Sequence, residues 1–381
     1  MTETLKHSVS FVIPCLNEAG TLREVLDRIN KVCENDLADR QTEVIVSDNG
    51  SSDNSVTIAE SLGARVVHCS KRGYGAALIA GIESATCRAI VFADADNTYD
   101  FLEAPRLIEE LDKGYDFVVG SRMDGRIHPG AMPFMHRYLG TPVLNFFLNL
   151  LYAKGDNKVT DCNSGFRCFL RHSFISWGVT STGMEFASEM LVKALKAGAK
   201  MSHVPVSLHP DAGDRAPHLQ RWRDGMRHLL QIFFDSPEFF CAAGSTTFLL
   251  GWLILLVGLF CGHIKLGFVW VFGLHSMMFG LLASLFGIIV WSVGLFLAAR
   301  VEAKPRIYRY LIDLAEDKLF WYSITILLFS FAMFGAIVAY WAAKGFHFIE
   351  IERQTLAVIA FASNSLVLVS NVVTAHLLKR S

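Results

Sequence analysis

The sequence predicts an α/β domain with a mostly parallel sheet, followed by a membrane region of four helices. Two observations carry this prediction. Short β-branched runs alternate with helical patterns through residues 1–236, and four long stretches without Asp, Glu, Lys or Arg follow in residues 237–381. Hydrophobic residues make up 52% of the chain, which is high for a soluble protein. The formal net charge of −1 gives no electrostatic argument for a nucleic-acid partner.

The first region contains five apolar runs of strand length, and helical patterns lie between them. The strands are expected at Val9–Ile13, Glu43–Ser47, Ala64–His68, Ala89–Ala93 and Phe117–Gly120. The helices are expected near residues 20–32, 53–62, 74–86 and 104–113. This alternation is typical of a parallel sheet that is covered on both faces. Such sheets bind their ligands at the carboxyl ends of the strands, so functional residues are expected at the strand ends.

The second region is expected to span a membrane four times. The uncharged stretches lie near residues 239–262, 273–299, 320–343 and 354–378. Each can cross the hydrocarbon core as a helix, and four in series disfavour the alternative of buried core helices. The loop at 300–319 carries five Lys or Arg residues, so the positive-inside rule places it and the N-terminal domain in the cytoplasm. We expect a multi-pass protein of a bacterial inner membrane, whose spans serve as an anchor or as an oligomerisation unit.

The strongest motif follows the fourth strand, in the segment VFADADNTYD. Asp94 and Asp96 are two residues apart, so their side chains project to the same side of an extended chain. Adjacent carboxylates repel each other unless a cation lies between them, and divalent ions that bridge phosphates prefer oxygen ligands. We therefore expect Mg²⁺ or Mn²⁺ here. Solvated loop carboxylates are disfavoured, because such a pair at the exit of a buried strand is costly unless it is used.

Three other strand ends carry candidate ligand-binding residues. Asp48 lies at the tip of the second strand, in SDNGSSDNS, where it can reach a ribose or base. Ser52 and Asp53 in the same segment are favoured as helix caps. In KRGYGAALIAG, Gly75 allows the backbone to approach a ligand closely, although such turns are common. Arg122 lies at the tip of the fifth strand, where its guanidinium could pair with a diphosphate.

Seven segments, in order, resemble the GT-A fold glycosyltransferases of family 2, in particular the dolichol-phosphate mannose synthase-like polyprenyl-phosphate glycosyltransferases. The segments are IPCLNE, SDNGSSD, RGYGAA, DADNTYD, GSR, DCNSGFRCF and RAPHLQRWRDG. The resemblance covers roughly residues 8–230. It implies that a hexose moves, with inversion, from a nucleotide-sugar of the UDP-glucose or GDP-mannose type to undecaprenyl or dolichyl phosphate.

The resemblance also implies roles on the donor side. The nucleoside contacts fall on Pro14, Asn17, Glu18 and Asp48. Asp94 lies against the nucleotide and belongs with Asp96 to the metal site, and Arg122 lies near the phosphates. Thr98 stands where the mannose synthases often carry a metal-binding Gln, so the third ligand is Thr98 or a water.

The acceptor side is implied by the aromatic-rich segment HRYLGTPVLNFFLNLLY at 136–152. It is expected to lie in the membrane interface as a helix near 134–152, with an ordinary surface helix as the alternative. Arg137 and Thr141 match the family spacing for contact with the lipid phosphate.

Further residues near the donor sugar follow from the same resemblance. Ser164 and Arg167, in DCNSGFRCF, are implied to shape the site. Either Glu185 or Glu189 is expected to touch sugar hydroxyls, unless both lie on a helix surface. Arg215 matches the family arginine that closes over the phosphates. It precedes a basic helix near 217–236, for which attraction to anionic lipid headgroups is also expected.

The implied nucleophile is a phosphate oxygen of the lipid, which is already ionised at neutral pH and needs no general base. The metal would neutralise the departing diphosphate, while Arg122, Arg137 and Arg215 hold the two anions close together. Two other readings are disfavoured. A processive polysaccharide synthase usually carries Q-x-x-R-W, and His218 stands where that Gln should be. A non-catalytic lipid-binding scaffold would not need the intact DAD and GSR segments.

Overall fold

The computed structural model describes residues 7–155, 157–211, 221–261, 264–266, 269–271, 273–299, 309, 316–345 and 352–380. The chain divides into two compact units, Met1–Phe233 and Phe234–Ser381, close to the boundary predicted after residue 236. Arg215, residues 217–220 of the predicted basic helix and most of the loop at 300–319 lie outside the described residues.

The first unit is built on a seven-stranded sheet in the order β3-β2-β1-β4-β6-β5-β7. Its strands are β1 (Val9–Cys15), β2 (Thr42–Asp48), β3 (Arg65–His68), β4 (Ala89–Phe92), β5 (Phe117–Ser121), β6 (Arg167–Leu170) and β7 (Met201–Pro205). All neighbouring pairs are parallel except those that β6 forms with β4 and β5. The predicted mostly parallel sheet is therefore confirmed, and its last two strands, β6 and β7, were not predicted from the sequence.

Helices cover both faces of this sheet. They are α1 (Leu22–Asn35), α2 (Ser55–Ser61), α3 (Tyr74–Ser84), α4 (Ala104–Asp112), α5 (Thr141–Tyr152), α6 (Arg171–Trp177), α7 (Phe186–Lys196) and α8 (Arg221–Phe234). Alternate residues of each strand enter opposite cores, because successive side chains of a strand point to opposite faces. In β1, Phe11 and Ile13 pack with α1 and α4, whereas Val12 packs with α3 and α7. Both cores therefore hold the strand ends rigidly in place.

The second unit consists mainly of four apolar helices that could cross a membrane, by length and composition. They are α9 (Pro237–Phe260), α10 (Leu274–Ala298), α11 (Glu316–Ala343) and α12 (Glu352–Arg380). Two short antiparallel strands, β8 (Ile264–Leu266) and β9 (Val269–Val271), lie between α9 and α10. Glycines let α9 and α10 touch backbone to backbone, since a Cβ at Gly251 would lie 2.5 Å from the Ser284 nitrogen. The Asn364 amide of α12 donates to Ser284 Oγ at 2.9 Å, which ties a third helix to this pair.

Candidate active site

The sheet brings the predicted strand-end residues to one edge. Cys15 and Asp48 are paired residues at the ends of the parallel strands β1 and β2, and β4 runs beside β1 in the same direction. Asp94 and Asp96 follow β4, and Arg122 follows β5 directly. Residues far apart in the chain therefore meet at the carboxyl edge, where doubly covered parallel sheets bind ligands.

Asp94 is held by a tyrosine from the glycine-rich turn. The Tyr74 hydroxyl donates to Asp94 Oδ1 at 2.9 Å. Burial, and then the charge of Asp94, raises the pKa of Tyr74 well above its usual value, so this hydroxyl remains a donor at neutral pH. On the other side, a Cβ at Gly165 would lie 2.6 Å from Asp94 Oδ2, so only glycine leaves room for the carboxylate. This contact of Tyr74 was not predicted, although Tyr74 lies inside the RGYG segment.

Asp96 is oriented by Thr98, the residue predicted as a third metal ligand. The Thr98 amide and hydroxyl both donate to Asp96 Oδ1, at 3.1 and 2.6 Å. Between them, Asn97 adopts a left-handed conformation with φ of 63°, which folds the loop back on itself. The role of Thr98 as a metal ligand stays a prediction. Its observed hydrogen bonds hold the carboxylate of Asp96 in place.

The oxygen atoms at this edge fit a hard divalent ion. Within the described part of the chain, no group of three His, Cys, Asp or Glu residues has the arrangement of a metal site. Mg²⁺ does not need such a cage, because proteins usually bind it through one or two carboxylates while water and phosphates complete the shell. Asp94 and Asp96 supply that minimal set.

The nucleoside-binding residues predicted on β1 and β2 are tied together by hydrogen bonds. Asn17, with φ of 58°, accepts a hydrogen bond from the Ser52 amide on Oδ1 at 2.8 Å. Asp48 accepts the Ser51 amide at 3.0 Å and lies 3.3 Å from His68 Nδ1. Burial opposes ionisation of Asp48, but the hydrogen bonds from Ser51 prevail, and its pKa is below the ordinary value. Asp48 is therefore a carboxylate at neutral pH.

Two further residues predicted to contact the nucleoside, Pro14 and Glu18, are buried at the same edge. The Glu18 amide donates to Ser55 Oγ at 2.8 Å, which joins the β1 loop to the start of α2. The loops after β1 and β2 therefore form one connected surface, and their contact with a nucleoside stays a prediction.

Arg122 forms an ion pair with Asp161, which was not predicted from the sequence. Its Nε and Nη2 donate to the two oxygens of Asp161, both at 2.7 Å, and its backbone amide donates to Oδ2 at 3.0 Å. The Asp161 side chain is fully buried and that of Arg122 is 12% exposed. The fork-like geometry fixes the guanidinium at the end of β5. Its contact with a diphosphate stays a prediction, and the only sequence signal for Asp161 is its position before the SGFR segment.

Ser164 and Arg167, which are predicted to shape the site near the donor sugar, are both fully buried inside the domain. The Ser164 hydroxyl donates to the Gly120 carbonyl at 2.5 Å. The Arg167 guanidinium donates to the carbonyls of Ser164, Cys162 and Ala187 at 2.8–2.9 Å. These bonds fasten the turn after Asp161 to the first turn of α7. Direct contact of either side chain with a substrate stays a prediction.

The predicted interfacial segment contains a change of helix type. Residues His136–Gly140 form a π-helical turn, and α5 follows from Thr141. Pro142 explains the wide turn, because its ring has no N–H and would clash with the carbonyl four residues earlier in an α-helix. Arg137 is exposed, with its guanidinium 5.4 Å from the Tyr138 ring centre, whereas Thr141 is buried. Their joint contact with a lipid phosphate stays a prediction.

This segment and α8 present an apolar surface to the outside. The exposed side chains are Phe134, Met135, Tyr138, Leu139, Val143, Phe146, Leu150, Met226 and Leu230, which we call the apolar strip. The Tyr152 hydroxyl donates to the Ile232 carbonyl at 2.5 Å, so α5 and α8 are joined beneath this surface.

Sequence comparisons with known proteins show which family the chain belongs to. The sequence model of glycosyl transferase family 2 matches residues 10–177. The low-salt glycan biosynthesis hexosyltransferase Agl6 of Haloferax volcanii is 34% identical over 293 residues, which cover 76% of this chain and 68% of that protein. The chain belongs to glycosyltransferase family 2. The predicted family and the predicted GT-A fold are therefore confirmed.

Two further proteins are similar to this chain. A dolichyl-phosphate hexose transferase of Haloferax volcanii is 29% identical over 218 residues, covering 56% of this chain and 88% of that protein. Among solved structures, glucosyl-3-phosphoglycerate synthase from Mycobacterium tuberculosis superposes with a TM-score of 0.48 and 21% identity, covering 60% of this chain and 79% of that one.

Proposed function

We propose that this glycosyltransferase moves a hexose from a nucleotide-sugar to a polyprenyl phosphate and inverts the anomeric carbon. The observation that carries the proposal is the apolar strip with Arg137 inside it, in the same unit as Asp94 and Asp96. Similarity to a dolichyl-phosphate hexose transferase supports the acceptor class. The candidate spans support a membrane location, and we propose that the catalytic unit faces the cytoplasm.

The apolar strip fits a lipid acceptor better than a soluble one. Phe134, Tyr138, Phe146 and Leu150 are 72%, 59%, 61% and 58% exposed. Soluble domains rarely expose a large contiguous apolar patch unless it binds a partner or a membrane. A polyprenyl chain supplies apolar surface, and the guanidinium of Arg137 supplies the charge that its phosphate needs.

The proposed reaction requires the protein to orient the two substrates more than to transfer a proton. A lipid phosphate oxygen is ionised at neutral pH, so it can attack the anomeric carbon without a general base. Asp94 and Asp96 would hold Mg²⁺ or Mn²⁺, with Thr98 adjacent, and the bound ion supplies positive charge for the leaving diphosphate. Tyr74 and Thr98 fix these two carboxylates before any substrate arrives, which is how a site gains from pre-organised electrostatics.

One experiment tests the proposal directly. The full chain in detergent is offered labelled UDP-glucose or GDP-mannose, Mg²⁺ or Mn²⁺, and a short polyprenyl phosphate, with polyprenol as the acceptor lacking phosphate. We expect label on the polyprenyl phosphate alone. Asp96→Ala should abolish transfer, whereas Asp27→Ala, on the exposed face of α1, should not. Label on a glycan or protein acceptor in place of the lipid would refute the proposal.

A further inference from the structure

The residue that begins α1 uses its side chain in an unusual way. Thr21 occupies the N-cap position, where a threonine oxygen ordinarily accepts a hydrogen bond from a free amide of the first helical turn. It makes no such bond. Its Oγ1 instead lies 2.7 Å from the Ala95 carbonyl, and its contacts with Glu18 are longer, at 3.3 and 3.4 Å. A hydroxyl has a single hydrogen, so the short contact with Ala95 is the hydrogen bond that this buried side chain donates.

Ala95 is the residue between the two aspartates of the candidate metal site. It is buried, so the chain that joins Asp94 to Asp96 lies against the protein interior. A second bond from α1 reaches the other neighbour of Asp96, since Asn97 Nδ2 donates to Glu24 Oε2 at 2.8 Å. The start of α1 therefore holds both residues that flank Asp96.

The Glu24 carboxylate is also held by its own helix. Arg28 Nη2, one turn further along α1, donates to Glu24 Oε1 at 2.7 Å, so the two oxygens of Glu24 have separate partners. Arg28 Nη1 also lies 3.7 Å from the Asp100 carboxylate, towards the end of the same loop. Among these contacts the bond from Thr21 is buried, and a buried acceptor that loses its donor is costly. Thr21 should therefore contribute most.

The loop that carries the two aspartates needs support from outside itself. Thr98 orients Asp96, but both residues belong to this loop, so their bonds fix the carboxylate relative to the loop alone. The place of the loop relative to the sheet depends on other elements. The His209 amide donates to the Thr98 carbonyl at 2.8 Å, and α1 holds Ala95 and Asn97. These attachments set where Asp96 lies.

We propose that Thr21 and Glu24 are positioning residues for the divalent ion, because they hold Asp96 where it can share that ion with Asp94 and a diphosphate. This inference rests on the proposed function, in which the two aspartates bind Mg²⁺ or Mn²⁺. Neither Thr21 nor Glu24 needs to touch the ion. A carboxylate that is fixed before the ion arrives loses less conformational freedom when it binds, and the ion is bound more tightly.

Binding of UDP to the full chain in detergent, titrated with Mn²⁺ in a calorimeter, tests Thr21; GDP replaces UDP if the wild type prefers it. Thr21→Val keeps the shape of the side chain and removes the hydroxyl. We expect it to raise the Mn²⁺ concentration for half-maximal UDP binding about 10-fold, as for loss of one hydrogen bond, and to leave UDP affinity in EDTA unchanged. Thr21→Ser keeps the hydroxyl and should keep the wild-type requirement. Thr57→Val, on the exposed face of α2, should change neither quantity.

A second pair of variants tests Glu24. Glu24→Gln keeps an oxygen that can accept from Asn97, so it should need as much Mn²⁺ as the wild type. Glu24→Ala has no acceptor and should need about 3-fold more, a smaller effect than at Thr21 because this bond is exposed to solvent. An equal Mn²⁺ requirement in the two variants would overturn the role of Glu24. Because Glu24 is exposed, this pair also keeps the test decisive if Thr21→Val does not fold.

A purely structural role gives a different result, because partial unfolding lowers the number of binding sites in calorimetry and leaves their Mn²⁺ requirement unchanged. The inference is overturned if Thr21→Val needs no more Mn²⁺ than the wild type, if it weakens UDP binding equally in EDTA, or if wild-type binding ignores Mn²⁺. If the wild type needs Mn²⁺ but labels no lipid, the proposed acceptor is wrong, and the variants still decide the role of Thr21.

Discussion

The buried ion pair between Arg122 and Asp161 gives a quantitative test of how the strand-end site is held together. Asp161→Ala removes a fully buried carboxylate that accepts three N–H groups of Arg122. The guanidinium, whose side chain is 12% exposed, then remains buried without its counter-charge. Breaking one side of a buried pair costs about 3–5 kcal/mol of unfolding free energy. We expect that loss here, together with loss of transfer.

A surface pair provides the matched control. Lys113 and Glu110 are also in contact, at 2.6 Å, but their side chains are 56% and 23% exposed. Lys113→Ala should therefore cost less than about 1 kcal/mol. Pulse proteolysis of the full chain in urea measures the folded fraction of the catalytic unit without requiring the whole protein to unfold in one step.

A double variant separates stability from function. Arg122→Met with Asp161→Leu replaces the pair by apolar side chains and should regain most of the lost stability, because well-packed replacements of buried pairs are often neutral. Transfer should remain lost, since the charge at the end of β5 is gone. The reasoning is refuted if Asp161→Ala costs no more than Lys113→Ala, or if the double variant regains activity.

Three further outcomes follow from single contacts. Tyr74→Phe removes the hydroxyl donor to Asp94, so kcat should fall about 10-fold in steady-state kinetics while KM for the lipid stays unchanged. Phe146→Glu places a charge in the apolar strip and should raise KM for polyprenyl phosphate about 10-fold but not KM for the donor. Burial alone would raise the pKa of Glu43, but hydrogen bonds from Ser10, Thr86 and Arg65 hold it at about 2. Because this folded-state pKa lies below the unfolded value, about 3 kcal/mol of stability should be present above about pH 4.3 and lost as pH falls towards 2. Urea midpoints measured across this pH range should show the loss. In Glu43→Gln the midpoint should depend less on pH.

The sequence was most informative where a residue's role depends on its neighbours in the chain. Asp94 and Asp96 stand two apart at a strand exit, and that spacing alone predicts a shared direction. The four candidate membrane spans also depend on local sequence alone, since absence of charge over the length of a helix is enough to recognise a candidate. The positions of the strand-end loops therefore follow from the sequence alone.

Contacts between residues that are far apart in the chain could not be predicted from the sequence. Tyr74 precedes Asp94 by 20 positions, and Arg122 precedes Asp161 by 39. Composition and spacing give no sign that such residues are in contact. Only the order of the strands in the folded sheet brings them together. The strand β6 was missed for a related reason, because Arg167 begins it, and a fully buried arginine bound to backbone carbonyls contradicts the usual expectation that Arg is exposed.

The charges at the strand ends lead to a last prediction. Asp48, Asp94 and Asp96 are carboxylic side chains, and Arg122 is already compensated by Asp161. These five side chains together repel a diphosphate, so removal of divalent ions with EDTA should lower UDP affinity at least about 10-fold in calorimetry. Asp96→Asn should weaken UDP binding when Mn²⁺ is present, yet leave it equal or stronger in EDTA, because one repelling charge is gone. This reversal of sign distinguishes a lost metal ligand from a damaged pocket, which would weaken binding in both conditions. UDP affinity that ignores EDTA would show that the nucleotide is held without a cation.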